Sequence, residues 1–156
     1  MVCGRLKSGD YMDLIRKALE IAIKAHKGVV DKGGADYIFH PITVALKCKT
    51  DDEKVVALLH DVVEDTPMTF NDLRKEGFPE YIIEALNAIT RRKPQEQNGD
   101  GRWEYIKRCK ANPIARVVKI ADLEHNSDLS RIPNPTEKFK KRVIEEYPAE
   151  IDFLKN

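Results

Sequence analysis

The run Leu58-Leu59-His60-Asp61-Val62-Val63-Glu64-Asp65-Thr66 sets four ligand-capable side chains inside an apolar helical stretch. On a continuous helix His60 would stand above Glu64, and Asp61 above Asp65, because residues four apart share a face. Three carboxylates this close repel one another and resist burial unless a cation or hydrogen bonds compensate. A divalent ion that activates water is the simplest chemistry for such a cluster.

Two further segments can contribute. Tyr37-Ile38-Phe39-His40-Pro41 puts a histidine at a loop-to-helix junction, and in Val117-Val118-Lys119-Ile120-Ala121-Asp122-Leu123-Glu124-His125-Asn126 an apolar run is interrupted by Asp122. Two imidazoles and two carboxylates from three helices can converge on one ion that keeps open positions for water. Mixed nitrogen and oxygen ligands suit manganese, iron or zinc better than calcium, which prefers oxygen alone. Each segment by itself is weak evidence, since a lone histidine before proline usually caps or packs. The order His, His-Asp, Asp, each in an apolar helical setting, is much more specific.

The elements that must position these groups read as helices, with no convincing alternating strand pattern. The spacing predicts helices over about 10–27 with Asp10 as N-cap, 41–49 behind Pro41, and 51–65 capped by Asp51 or Asp52 and stopped by Thr66-Pro67. A short helix follows from Thr69 to Gly77, then one from Pro79 with Tyr81, Ile82, Ala85, Leu86 and Ile89 on one face. Residues 91–101 read as a polar loop. Helices over about 102–110, 113–129 and 136–155 complete the chain, the last with a kink or break at Pro148. The expected fold is an all-α, single-domain helical bundle.

Composition narrows the function classes. The chain has 156 residues, 42% apolar and 34% charged, which suits one domain with a real core. Net charge is +1, from 27 basic and 26 acidic residues, so no global field argues for nucleic acid or an acidic membrane. No apolar run approaches a membrane span, and no signal peptide is evident. Cys3, Cys48 and Cys109 are odd in number and widely spaced, as expected of reduced packing thiols in a cytoplasmic protein.

With these segments in order, the chain resembles the HD-domain metal phosphohydrolases. Within them it is similar to the hydrolase domain of the RelA/SpoT enzymes and to the small alarmone hydrolases of the Mesh type. The matching stretches are residues 37–45, 57–66 and 118–126. The resemblance implies an HD-type helical bundle with one divalent ion, usually manganese, and removal of pyrophosphate from the 3′ position of guanosine tetraphosphate or pentaphosphate. It implies His40, His60, Asp61 and Asp122 as metal ligands, Glu64 and Asp65 as the acidic pair near the attacking water, and Lys32, Lys93 and Asn126 as substrate contacts. Tyr147 is expected to pack, His125 to face solvent, and residues 125–132, including Ser127 and Arg131, to form an exposed helix end. The chain departs from the family at two positions: Asp31 stands where an arginine helps hold the base, and Leu129 where a threonine is common. Hydrolysis of another nucleotide or phosphoester therefore stays open as an alternative, as does a non-catalytic nucleotide- or metal-binding sensor. Oligomeric state is not readable.

Overall fold

The computed structural model describes residues 7–156, so Cys3 lies outside the described residues. Their secondary structure is helical throughout, apart from an isolated antiparallel bridge between Val30 and Asp36. The first helix, α1 (Ser8–Ala25), starts earlier than its pattern predicts, and Asp10 is its third residue, not its cap. The Asp10 carboxylate accepts from the Lys7 N–H at 3.1 Å, so it still satisfies a backbone donor at the helix start. Gly28, with φ of 79°, turns the chain out of the helix.

Two helices position His40 and His60, the first residue within its helix and the second just after the end of its own. In α2 (Phe39–Lys47), His40 and Pro41 lie in the first turn, two residues earlier than predicted. Next comes α3 (Asp51–Leu59), which is capped by Thr50, not by Asp51 or Asp52. Thr50 Oγ1 accepts from the Glu53 N–H at 3.2 Å and Glu53 Oε2 accepts from the Thr50 N–H at 3.1 Å. This reciprocal pair satisfies two donors at once, which neither aspartate alone would do.

The predicted helix over 51–65 is interrupted. At Asp61 the backbone sits at φ −100°, ψ −6°, and a single turn, α4 (Val62–Asp65), follows. Chain direction therefore changes between the His-Asp pair and the Glu-Asp pair. Beyond Thr66, α5 (Phe70–Lys75) and α6 (Glu80–Ile89) follow as expected, with Thr69 capping α5.

Residues 91–101 are more ordered than a polar loop. A 3-10 turn covers Pro94–Gln97, and α7 (Gly99–Ala111) begins before the predicted 102. The reason is Glu96, which is buried and accepts from Arg108 at 2.8 Å and from the Arg92 N–H at 2.7 Å. Then come α8 (Pro113–Asn126), a 3-10 turn at Leu129–Arg131, α9 (Glu137–Lys141), a π-helical turn at Arg142–Glu146, and α10 (Tyr147–Lys155). Pro148 has no N–H for the preceding turn, which places the irregularity where the sequence anticipates one.

One continuous apolar core runs through these helices. In α3 every residue from Val55 to Leu59 is buried, with α1, α2, α6 and α8 packed around it. Because α3 and α8 are central, His60 at the end of α3 and Asp122 within α8 are both buried. Cys48 and Cys109 are buried free thiols. Among the described residues no helix is long and apolar enough to cross a membrane.

Candidate metal centre

Three buried side chains meet between α2, α3 and α8. One ligand atom from each of His40, His60 and Asp122 lies within 4.8 Å of the other two. His40 Nε2 is 2.9 Å from Asp122 Oδ1, and His60 Nε2 is 3.4 Å from the same oxygen. Asp61 Oδ2 approaches His60 Nε2 at 3.1 Å and His40 Nε2 at 3.7 Å. Three of the four expected ligands, His40, His60 and Asp122, converge, and Asp61 stands beside the two histidines.

The donor set suits a cation for a reason visible at His60. Its Nδ1 lies 2.6 Å from the Ala57 carbonyl, which can only accept, so Nδ1 carries a proton. In the neutral ring Nε2 is then a lone pair, and it is buried without a hydrogen-bond partner. A lone pair facing two carboxylate oxygens is repulsive unless positive charge lies among them. The His60 pKa reports the same demand: burial would lower it, but Asp61 and Asp122 hold it well above the ordinary value. A divalent ion with mixed nitrogen and oxygen ligands fits this arrangement.

Each carboxylate is oriented from behind. Lys119, Asp122 and Asn126 share one face of α8. Lys119 Nζ donates to Asp122 Oδ2 at 2.8 Å, and Asn126 Nδ2 donates to Asp122 Oδ1 at 3.1 Å. Burial alone would raise the Asp122 pKa, but Lys119 and the two histidines hold it well below the carboxylate range. Asp61 Oδ2 accepts from the Tyr37 hydroxyl, and His60 chiefly keeps Asp61 ionised against its burial.

The acidic pair divides in two after the break at Asp61. Glu64 is fully engaged by Arg91: the backbone N–H donates to Oε2 at 3.0 Å, and the guanidinium donates to Oε1, through Nε at 2.8 Å. Asp65 is different. Burial, with the charges of Asp61 and Glu64, pushes its pKa up to about 6. Both residues line a cavity of about 360 Å³ that opens over the His/Asp floor.

At the cavity rim stand Lys32, Arg131, Phe139, Arg142 and Tyr147. Lys32 Nζ lies 4.1 Å from the Phe139 ring centroid, and burial, with Arg142 nearby, lowers its pKa. Asn126 also lines the cavity, whereas Lys93 is exposed and does not; Arg91 from the same basic cluster lines it instead. Tyr147 is buried and so packs as expected, yet it also forms part of the wall. Leu129 packs against the core.

Two expectations are overturned. His125 does not face solvent: it is buried, its ring lies nearly parallel to that of His40, and the two Nδ1 atoms are 2.8 Å apart. Burial, with Arg131 and His40 close by, pushes its pKa down to about 4. Its spacing three residues after Asp122 would have put it on the ligand face. Arg131 is not part of an exposed end either. It pairs with Asp31 at 3.2 Å and donates to the His125 carbonyl at 3.1 Å, closing the rim across two loops. Gly33 makes this approach possible, since a Cβ there would sit 2.1 Å from the Arg131 carbonyl oxygen. Ser127 Oγ donates to the Leu123 carbonyl as a helix-end contact.

No protein-family model matches the chain. Individual proteins do. The bifunctional (p)ppGpp synthase/hydrolase SpoT of Escherichia coli K12 is 31% identical over 127 residues, which is 75% of this chain and 18% of that protein. The guanosine-3′,5′-bis(diphosphate) 3′-pyrophosphohydrolase of Borreliella burgdorferi is 33% identical over 147 residues, covering 85% of this chain and 22% of the relative. Among solved structures, a metazoan orthologue of SpoT that hydrolyses ppGpp superposes with a TM-score of 0.76 at 23% identity, covering 98% of this chain and 89% of that one. The chain resembles the SpoT-type hydrolases in sequence and shares the helical fold of one of them. It spans roughly a fifth of the length of the curated relatives it matches.

Proposed function

We propose that this chain is a metal-dependent phosphohydrolase that removes pyrophosphate from the 3′ position of guanosine tetraphosphate or pentaphosphate, using one HD-type domain. The observation that carries the reading is the convergence of His40, His60 and Asp122, with the unpartnered His60 Nε2 turned toward two carboxylates. The relatives named for this reaction support it. His40, His60, Asp61 and Asp122 would hold the ion, with manganese the leading candidate and zinc or iron the alternatives. When bound, such an ion lowers the pKa of a coordinated water and offsets phosphate charge.

The remaining steps belong to the protein. Asp65 accepts the proton of the attacking water, for which a carboxylate with a pKa near 6 is suited at neutral pH. Glu64, held by Arg91, orients that water and fixes the position of Arg91 against the phosphates. The water oxygen bonds to the 3′-linked phosphorus, the bond from phosphorus to the 3′ oxygen breaks, and that oxygen takes up a proton. Products from the tetraphosphate are GDP and pyrophosphate. Lys32 and Arg142 offset phosphate charge at the rim, Asn126 braces Asp122 beside the ribose, and Arg91 takes the place first expected for Lys93. The nucleotide substrate and the buried free thiols are in keeping with a cytoplasmic setting.

A second reading keeps the chemistry and changes the nucleotide. Asp31 is committed to Arg131, so no cation at that position is available for a base. One experiment separates the two. Protein loaded with manganese is given guanosine tetraphosphate and a panel of other nucleotides. Stoichiometric GDP and pyrophosphate establish the first reading. Turnover of a different nucleotide alone establishes the second.

A further inference from the structure

His125 has no part in the chemistry above, yet it is buried against a ligand. We propose that His125 is a positioning residue that sets the tautomer of His40 and thereby presents His40 Nε2 to the ion. The inference rests on the metal-centre reading and goes beyond it.

The argument begins with the 2.8 Å separation of the two Nδ1 atoms. One proton must lie between them, because two facing lone pairs repel and two facing N–H groups collide. That proton belongs either to His40 or to His125. His40 Nε2 points at Asp122 Oδ1, 2.9 Å away, and at Asp61 Oδ2, 3.7 Å away. For Nε2 to offer its lone pair to an ion in that position, the His40 proton must sit on Nδ1, and His125 Nδ1 must accept it.

Comparison with His60 sharpens the point. There the same task falls to the Ala57 carbonyl, a fixed acceptor on the helix backbone. At His40 the acceptor is a side chain, so its orientation has to be secured separately. The ring is held nearly parallel to His40, at an interplanar angle of 17° and a centroid distance of 5.0 Å. Its backbone carbonyl accepts from Arg131, which Asp31 anchors in turn. His125 also lies on the same helix as Asp122, so a single rigid element carries both a ligand and the residue that orients another ligand.

The test uses the full chain and the ions alone. Mn²⁺ affinity is measured by chelator competition for the unchanged protein, His125→Leu and His125→Asn. Leucine removes the acceptor and is expected to weaken binding roughly 10–100-fold, the usual effect of losing such a partner. Asparagine can place its amide oxygen near the Nδ1 position and is expected to restore most of the affinity. In the unchanged protein loaded with Zn²⁺, long-range proton–nitrogen spectra should show His125 protonated on Nε2 and bare at Nδ1. A His125 proton on Nδ1 overturns the proposal whether or not either variant folds. So does undiminished Mn²⁺ affinity in folded His125→Leu. If the unchanged protein takes up neither ion, the metal-centre reading falls and this inference with it. No step uses a nucleotide, so a failure to hydrolyse guanosine tetraphosphate would leave the result intact.

Discussion

Two buried charged clusters in this molecule are built on opposite terms. Arg102 on α7 and Glu150 on α10 form a closed pair: both nitrogen–oxygen contacts are 2.8 Å and both side chains are buried. One cation meets one anion, and the fork of the guanidinium matches the carboxylate. The floor of the cavity does not close in this way. Asp122 has one ammonium, from Lys119, Asp61 has only the neutral Tyr37 hydroxyl as a hydrogen-bond donor, and His60 Nε2 has no hydrogen-bond partner. A cluster satisfied by its own members ties helices together. A cluster left short of positive charge is a place for a cation to bind.

The contrast can be broken by mutation. The largest effect is expected from His60→Ala, which should lower pyrophosphate release by at least about 1,000-fold, equivalent to roughly 4 kcal/mol, and abolish metal retention. Metal content measured alongside turnover checks it, and retained metal with normal rates would place the ion elsewhere. Arg102→Ala should act on stability instead, by about 3–5 kcal/mol, because it strands Glu150 without its partner. Denaturant melts read that loss. Arg102→Met combined with Glu150→Leu should recover most of it, and no recovery would mean that the pair does more than tie helices.

Removing the ion should lower stability by roughly 3 kcal/mol relative to protein at about 100 times the dissociation constant, since only the folded floor assembles the ligands. Calorimetry with and without chelator measures it, and an unshifted melt would argue against a bound ion. The smallest effect concerns Glu96, a closed pair with Arg108. The hydrogen bonds from Arg108 hold its pKa at about 2, below the ordinary 4.5. A lowered carboxylate pKa means stability that is complete above about pH 4.5 and lost as the pH falls toward 2. With Arg108 partly exposed, the loss should be roughly 1 kcal/mol after screening. Glu96→Gln should flatten that part of the acid-unfolding curve.

Helix identity was largely legible because the apolar spacing is regular, and Thr69, Pro79 and Gly77 punctuate it as their backbone preferences require. The break at Asp61 was not legible. Periodicity continues through His60 to Asp65, and the break shows only in the folded backbone at Asp61. Residues 91–101 looked like a loop because Glu96 reads as polar until Arg108, on the next helix, is known to meet it. At the site, the order His40, His60-Asp61, Asp122 was visible because histidine and aspartate are chemically conspicuous in apolar runs. His125 and Arg131 were misplaced because their surroundings come from α2 and from the loop at Asp31.

Sequence alone determined the helical class and the types and order of the polar residues that interrupt the apolar helices, since these follow from side-chain chemistry and local spacing. Tertiary structure decided which groups share a charge. It engaged Glu64 with Arg91 and left Asp65 with a raised pKa, removed Lys93 from the cavity, and joined Asp31 to Arg131 across the rim. Most of all it turned His125 inward against His40. Electrostatic interactions depend on distance and burial, and neither is set until helices distant in sequence have packed.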